Sequence, residues 1–101
     1  MNASQRIYAV VAKIPQGKVL TYATVAKLAH VASPRLVGFA LHKNKDPQSI
    51  PCHRVVKSNG EIAEGFAFGG AKKQIKLLAN EGVRFLNDAR VDLKRCLFNP
   101  W

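Results

Sequence analysis

Three short apolar patterns of helical period fill the first 43 residues, and the caps and breakers between them constrain the fold more than any other feature. Ser4 is placed to cap a first helix, which the Pro-Gln-Gly stretch at 15–17 ends. Thr21 predicts the N-cap of a second short helix that runs from Tyr22 to about His30. The apolar residues predicted to be buried are Ile7, Val10, Val11 and Ile14 in the first helix and Val25, Leu28 and Ala29 in the second.

A third helix completes a helix-turn-helix pattern. Ser33 is its predicted N-cap and Pro34 its first residue, a position that suits proline because its φ is already helical and its missing N–H is not needed. The helix is predicted to run to about Lys43. Two short helices joined by a tight connector are typical of helix-turn-helix proteins, in which the later helix reads DNA. The residues predicted to be buried on the third helix are Val37, Ala40 and Leu41.

The rest of the chain predicts a small β-element and one more helix. Residues 50–56 are too short for a helix and end in two valines, so they predict a loop that enters a strand. A Ser-Asn-Gly turn at 58–60 follows, and residues 61–64 are expected to pair back as a small wing. Residues 71–80 predict a fourth helix with Gly82 as its C-cap glycine. Its predicted inward residues are Ile75, Leu78 and Ala79.

These elements predict a single domain, 1–101, of the mainly α class with a minor β part (α+β). The expected architecture is a winged helix-turn-helix-like DNA-binding domain with a small β-hairpin. A length of 101 residues is enough for one small core. The tail from Val83 onward alternates only in part and predicts no regular element.

A strong excess of positive charge indicates a polyanionic partner. Sixteen basic residues face six acidic ones, which gives a net charge of +10 and a pI near 10.2. We expect nucleic acid first and an anionic membrane surface second. A general basic protein, such as a ribosomal one, stays open as an alternative until the basic residues are found on one face. No apolar run approaches the roughly 20 residues of a membrane helix, and we recognise no signal peptide.

A glycine inside the third helix has two explanations. Gly38 costs about 1 kcal/mol of helix stability relative to alanine. Either another helix packs closely against it, or a DNA backbone or base approaches it. The net charge of +10 and the nearby Arg35 favour the second explanation. Residues three or four positions apart are neighbours on a helix, and here they are Arg35, Gly38, Phe39 and His42.

Cys52 is the residue whose neighbours most indicate reactivity, since it follows Pro51 and precedes His53 and Arg54. A thiol with the ordinary pKa of about 8.5 is mostly protonated at neutral pH, so a nearby base assists its attack. Adjacent side chains of a regular strand point to opposite faces. Cys52 and His53 therefore converge only if the backbone is irregular, which Pro51 favours.

Three glutamates are candidates for the carboxylate that would orient a histidine base: Glu61, Glu64 and Glu81. Glu81 stands at the end of the predicted fourth helix, where a negative charge is unfavourable. A partner elsewhere in the fold would explain this position. A solvated side chain that costs about a few tenths of a kcal/mol would explain it equally, so the residues leave the choice open.

The second cysteine, Cys96, is expected to be a small buried apolar residue. Cysteines at 52 and 96 alone form no metal-binding pattern and no disulfide framework. We expect a cytoplasmic protein, and therefore no disulfide between Cys52 and Cys96. We also expect no metal and no cofactor.

The motif PCHRV at 51–55 stands among four other recognisable stretches: IPQGKVLTYATVAKLA, SPRLVGFALHKN, GFAFGG and KKQIKLLANEG. In this order and at this spacing they resemble the O6-alkylguanine-DNA alkyltransferases (methylated-DNA–protein-cysteine methyltransferases). The resemblance covers about residues 5 to 85 and concerns the active-site and DNA-binding domain of that family. The additional N-terminal domain of full-length relatives is not part of it.

The resemblance implies a set of catalytic roles. Cys52 matches the alkyl acceptor, His53 the water-linked base and Glu81 the carboxylate that orients it. Asn44 matches the asparagine that braces the active-site turn. Tyr22 matches the tyrosine that assists protonation of the leaving guanine and rotation of the phosphate. The product would be a thioether, so each chain would accept one alkyl group.

The resemblance also implies how DNA is bound. Arg35 matches the arginine that fills the space left by a flipped nucleotide, and the small residues Gly38 and Ala40 suit the narrow minor groove. The implied partner is double-stranded DNA containing O6-alkylguanine, bound by a monomer and without a membrane. Basic residues expected at phosphates are Lys43, Lys45, Arg54 and Lys57. Residues expected around the substrate pocket are Pro51, Phe66, Phe68 and Gly69.

Three other functions are weighed against alkyl transfer. The short format and the ending FNPW also resemble the alkyltransferase-like proteins, which bind alkylated guanine without repairing it and mark it for nucleotide excision repair proteins. Those proteins typically have tryptophan in place of the acceptor cysteine, so we place transfer to Cys52 first and sensing second. A winged-helix regulator would need a dimer and a specific operator. A hydrolase built on Cys52, His53 and Glu81 would regenerate its cysteine.

Overall fold

The computed structural model describes residues 1–62 and 69–100 of the chain. Phe66 and Phe68, which are expected in the substrate pocket, lie outside the described residues, as does Glu64. The described residues form five α-helices, one 3₁₀ turn and two small two-stranded sheets.

The first helix, α1, spans Ala3–Ala12 and begins with a capping box. The side chain of Asn2 accepts the N–H of Gln5 at 2.8 Å, and the side chain of Gln5 accepts the N–H of Asn2 at 3.0 Å. The helix is confirmed, but Ser4 as its cap is wrong. Ser4 lies inside the first turn of the helix. Asn2 and Gln5 satisfy each other's N–H groups at the helix start, so the cap lies two residues earlier than predicted.

The helix-turn-helix consists of α2, Tyr22–Leu28, and α3, Pro34–His42. Thr21 caps α2 as predicted, since its Oγ1 accepts the N–H of Thr24 at 3.2 Å. Ser33 occupies the N-cap position of α3, but the described residues show no cap hydrogen bond to its side chain. The predicted buried residues of α3 are confirmed: Val37, Ala40 and Leu41.

The strand that follows the cysteine motif pairs with an earlier part of the chain. This strand, β2, spans Val55–Val56 and lies parallel to β1, Leu20–Thr21. The strand itself is confirmed, but its partner is not the 61–64 segment that the sequence predicted. A parallel partner needs a long crossover connection, which a local sequence pattern does not reveal. Since β1 leads directly into α2, the pairing brings the helix-turn-helix next to the cysteine motif.

The small β-hairpin lies in the tail. Its strands are β3, Phe85–Asn87, and the antiparallel β4, Arg90–Val91. Glu61 adds an isolated bridge to Arg90, and the short helix α5, Leu93–Cys96, follows. A mainly helical domain with a small hairpin is thus confirmed, and the position of the hairpin is the correction.

The longest helix, α4, spans Gly70–Asn80, and Gly82 follows it with φ +89°, a conformation that favours glycine. Leu78 is buried, as predicted. Ala79 was expected inside but is exposed, and Gln74 is buried instead. The inward face of α4 therefore includes the buried amide side chain of Gln74.

Among the residues that the structure describes, two clusters of buried apolar side chains form the core. The first lies among α1, α2 and α3 and includes Cys52, while the second lies against α4 and the tail and includes Cys96. Both cysteines are free thiols, and Cys96 is buried as predicted. Within the described ranges, no helix is long and apolar enough to cross a membrane.

Candidate active site and nucleic-acid interface

The backbone turns sharply at Pro51 and then enters a 3₁₀ turn, Cys52–Arg54. Pro51 has φ −75° and ψ 73°, the angles of an inverse γ-turn, and the N–H of Cys52 donates to the carbonyl of Ile50 at 2.7 Å. Proline suits this position because its ring fixes φ near that value. The irregular backbone expected here is confirmed, and Cys52 and His53 are both buried in it.

Asn44 holds this turn from a position just beyond α3. Its Nδ2 donates to the carbonyl of Ile50 at 2.9 Å, and its Oδ1 accepts the N–H of Asp46 at 2.9 Å. Asn44 is only 4% exposed, so these hydrogen bonds form away from competing water. The structure thus places Asn44 against the turn that carries Cys52.

Burial is the main influence on the Cys52 thiol, which is 5% exposed. Burial raises the pKa of Cys52 above its ordinary value. The nearby polar groups of the Asn44 side chain and of the Cys52 and His53 main chain lower this pKa, but they do not cancel the effect of burial. The thiol is therefore protonated at neutral pH, and a base is needed to form the thiolate.

Glu81 is the carboxylate that meets His53. Its Oε2 lies 3.0 Å from Nε2 of His53. Of the other candidates, Glu61 pairs with Arg90 at 3.2 Å, and Glu64 lies outside the described residues. The fold therefore distinguishes two glutamates that the sequence left equivalent.

Arg54 binds the same carboxylate through two nitrogens. Its Nε donates to Oε1 of Glu81 at 2.9 Å and its Nη2 to Oε2 at 2.6 Å, while Nη1 donates to the carbonyl of Ile14 at 2.8 Å. Burial raises the pKa of Glu81, but hydrogen bonds from Arg54 and His53, together with their charges, hold that pKa below its usual 4.5. The phosphate contact expected of Arg54 is therefore corrected, because its guanidinium is held inside the protein by Glu81 and Ile14.

An open groove of about 460 Å³ lies between the helix-turn-helix and the turn after β2. Burial raises the pKa of the Tyr22 phenol, and the charge of a Cys52 thiolate raises it further. The phenol therefore stays protonated at neutral pH and lies within electrostatic reach of the thiol. The groove brings three predicted site residues, Tyr22, Arg35 and Lys57, to one surface. Its lining residues are Tyr22, Ala23, Pro34, Arg35, Lys57 and Ser58.

Gly38 faces open space on α3. A Cβ atom built on it would meet nothing within 4 Å, so packing against another described helix does not explain this glycine. The neighbouring Arg35 and Phe39 are exposed, Phe39 by 58%. These observations favour the close approach of a partner. Ala40, which was also expected to suit the minor groove, is buried in the core instead.

Three of the remaining predicted residues are exposed to solvent. Lys43 and Lys45 are exposed just beyond the end of α3. Gly69 is exposed at the N-cap of α4 with φ +124°, and a Cβ there would come within 2.8 Å of the Lys73 side chain. Glycine is therefore required at 69 by both backbone conformation and space.

Gln74 contacts the site but was missed in the sequence. It is 1% exposed, and its Nε2 donates to the carbonyls of His53 at 2.9 Å and Val55 at 3.1 Å. Glutamine is mostly found at protein surfaces, so the residue type gives no signal. The available signal is spacing, because Gln74 lies four residues before Leu78 and seven before Glu81, on one side of the helix.

Comparisons with known proteins show the family of this domain. The protein-family model described as "6-O-methylguanine DNA methyltransferase, DNA binding domain" matches residues 2–83 of the chain. The chain is 38% identical over 98 residues to the DNA base-flipping protein of Escherichia coli, covering 94% of this chain and 73% of that protein. It is 47% identical over 79 residues to the methylated-DNA–protein-cysteine methyltransferase of Methanothermobacter thermautotrophicus, covering 78% of this chain and 43% of that protein.

A solved structure extends the likeness to the whole fold. S. pombe Atl1, in complex with damaged DNA containing O6-carboxymethylguanine, superposes with a TM-score of 0.86 at 28% identity, covering 97% of this chain and 95% of Atl1. The chain spans less than half the length of the methyltransferases that it matches. On the family match and the base-flipping relative, the chain belongs to the family of the 6-O-methylguanine DNA methyltransferase DNA-binding domain.

Proposed function

We propose that the chain acts in DNA repair, binding double-stranded DNA that contains O6-alkylguanine and transferring the alkyl group to Cys52 in a single turnover. The observation that carries this proposal is the turn at Cys52, in which His53 directly follows the cysteine and its Nε2 lies 3.0 Å from Oε2 of Glu81. The damaged DNA bound by S. pombe Atl1 supports this class of substrate.

The chemistry begins with the thiol proton. Because Nε2 of His53 is bound to Glu81, the other ring nitrogen, Nδ1, takes the proton from Cys52 directly or through a water. This step is required because burial raises the pKa of Cys52. The Sγ atom then bonds to the alkyl carbon as the bond between that carbon and O6 breaks, and the bonding electrons leave with guanine.

Tyr22 assists the departure of guanine. Guanine leaves poorly as an anion, so a proton delivered in the transition state lowers the barrier. The raised pKa of Tyr22 keeps its hydroxyl protonated and able to donate, and solvent then restores the proton. The product at Cys52 is a thioether with no easy route back to the thiol, so each chain reacts once.

The target base must leave the duplex to reach this thiol. The alkyl carbon of a stacked base is out of reach of a cysteine that is 5% exposed. Unstacking costs about a few kcal/mol, which Arg35 offsets by filling the vacated space. The exposed Lys43, Lys45 and Lys57 contact phosphates without reading sequence.

A lesion sensor is the second candidate. Two observations favour it: the likeness to S. pombe Atl1 covers nearly all of both chains, and burial keeps the Cys52 thiol protonated at rest. A sensor would use the same groove and flipped base but would leave Cys52 unmodified. It would then recruit nucleotide excision repair proteins to the lesion.

An intact-mass measurement separates the candidates. The chain is incubated with a duplex containing O6-methylguanine, and lesion binding is measured in parallel with an undamaged duplex. A gain of one methyl group per chain, absent in Cys52→Ala, supports transfer. Tight lesion-dependent binding with unchanged mass supports the sensor. Binding that ignores the lesion, or repeated turnover with an unmodified cysteine, contradicts both and favours a regulator or a hydrolase respectively.

A further inference from the structure

Gln74 of α4 donates both hydrogens of its side-chain amide to the main chain of the cysteine motif. Nε2 lies 2.9 Å from the carbonyl oxygen of His53 and 3.1 Å from that of Val55. The two acceptors also fix which end of the amide carries the nitrogen, because an oxygen there would face two other oxygens. These bonds span the end of the 3₁₀ turn and the start of β2.

The acceptor end of the same amide gains little from its position. Oε1 of Gln74 is buried, and the described residues offer it no donor. A buried acceptor without a partner costs about 1–3 kcal/mol. An apolar side chain of similar length would avoid that cost but would remove the donor from the carbonyls of His53 and Val55. The specific contribution of a glutamine at this position is therefore its pair of hydrogen bonds to the turn.

Gln74 and Glu81 hold the same turn in different ways. They lie seven residues apart, close to two helical turns, and so on the same side of the helix axis. Gln74 binds the main chain of His53, while Glu81 binds the side chains of His53 and Arg54. Helix α4 therefore fixes both the backbone and the side chain of the proposed base.

We propose that Gln74 is a positioning residue that holds the Cys52–Arg54 turn so that the His53 imidazole stays in position to take the proton of the Cys52 thiol. It acts on Cys52 through the turn and does not touch the reacting atoms. The proposal rests on the proposed function only in taking Cys52 as the reacting residue. Loss of the amide lets the turn relax, which moves the base away from the thiol and changes the surroundings of the thiolate.

The charged and titratable groups around Cys52 stay unchanged when Gln74 is replaced. In the described part of the chain, Tyr22 from α2 interacts electrostatically with Cys52, and the turn itself carries His53 and Arg54, which pair with Glu81 at the end of α4. An altered pH dependence of the thiol in a Gln74 variant therefore reports a change in their geometry and not the loss of one of them.

The test measures how fast iodoacetamide alkylates Cys52 across a pH series, with the Cys52 and Cys96 peptides resolved by mass spectrometry. Gln74→Met removes both donors at similar volume, and Gln74→Asn keeps an amide but shortens its reach by one methylene. Leu78→Val is the matched control, because it removes a methylene from a buried residue of the same helix that does not contact the turn through a hydrogen bond. Unfolding by urea gives the stability of each variant.

For Gln74→Met and Gln74→Asn, we expect the alkylation rate at neutral pH to fall about tenfold and to recover at high pH, since one unit in a thiol pKa changes the thiolate fraction tenfold. Leu78→Val should keep the wild-type pH midpoint of Cys52 alkylation. An unshifted midpoint in both Gln74 variants, or a rate loss that is equal at every pH, would overturn the proposal. Because the reagent needs no DNA, a shifted midpoint supports the role of Gln74 even if the wild-type chain takes no alkyl group from DNA and the proposed transfer fails.

Discussion

Glu81 Oε2 and His53 Nε2 lie 3.0 Å apart, although 28 residues separate them in the sequence. Arg54, the neighbour of His53, binds both oxygens of the same carboxylate. One side chain at the end of α4 thus holds two consecutive residues of the turn that carries the thiol. A helix C-terminus disfavours a carboxylate, so the imidazole and the guanidinium are the groups that stabilise it there.

Glu81→Gln should lower the free energy of unfolding by about 1–3 kcal/mol, because it leaves the half-buried Arg54 guanidinium without a charged partner. The matched control is Glu61→Gln, which breaks the exposed pair with Arg90 and should cost much less. Urea unfolding at neutral pH measures both. Equal losses in the two variants would show that the Glu81 contacts are no more stabilising than a surface ion pair.

The contribution of Glu81 to the stability of the fold depends on pH in a defined way. The folded pKa of Glu81 lies below 4.5, so its contribution to stability is present above 4.5 and is lost as the pH falls through the folded value. The stability difference between the wild-type chain and Glu81→Gln should therefore shrink in acid. A difference that stays constant down to the acid transition would contradict the lowered pKa.

Gly38→Ala should raise stability and weaken DNA binding. The new methyl group meets nothing within 4 Å in the protein, and alanine favours a helix over glycine by about 1 kcal/mol. On the DNA side the methyl group occupies space that the partner needs. Gly82→Ala is the control, since its φ of +89° makes alanine destabilising although the space is open. Thermal unfolding and duplex titration give the two readouts, and unchanged affinity in Gly38→Ala would remove α3 from the DNA contact at this position.

Tyr22→Phe should slow transfer much more than it weakens binding, because the ring stays and only the proton donor is lost. Single-turnover rates at saturating duplex report the first effect and a titration reports the second. Tyr8→Phe serves as control, since the Tyr8 hydroxyl donates to the Ala40 carbonyl at 2.6 Å inside the helical core. It should cost about 1 kcal/mol of stability and leave the transfer rate unchanged. Equal slowing in both variants would mean that the Tyr22 hydroxyl is structural.

His53→Ala should slow transfer most at neutral pH. There the buried thiol is protonated, because burial raises its pKa, and removal of the base slows formation of the thiolate. Above that pKa, solvent deprotonates the thiol and the deficit should shrink. The measurement is the single-turnover rate over a pH series. A deficit of the same size at all pH values would assign His53 a structural role.

The sequence predicted local elements well because their signals are local. Thr21 capped α2 and Pro34 began α3 as predicted, since caps and breakers act within one helical turn. It misplaced the small hairpin because β2 pairs with β1, a parallel neighbour that only the folded chain brings near. More than one nearby residue can cap a helix, and here Asn2 and Gln5 form the cap that was expected of Ser4.

In the candidate site, too, the sequence predicted what depends on neighbouring residues and missed what depends on contacts between distant parts of the chain. The residues next to Cys52 indicated a reactive thiol with a nearby base, and the resemblance implied a role for Glu81. Pattern alone could not choose among three glutamates, because the choice depends on where α4 ends against the turn. Arg54 appeared as a free basic residue in the sequence, but the fold brings it to Glu81 and Ile14. Gln74 was missed because only the folded chain sets its amide against two main-chain carbonyls.

The central claim, that the sulfur of Cys52 accepts the alkyl group, is tested most directly by tracing the group itself. The chain is incubated with a duplex whose O6-methylguanine carries a deuterated methyl, and the digested protein is sequenced by tandem mass spectrometry. We predict one labelled methyl on Cys52 and none on Cys96, which is buried in the second cluster. A chain that binds this duplex and yields no labelled Cys52 peptide, or one labelled only at another residue, would contradict the claim.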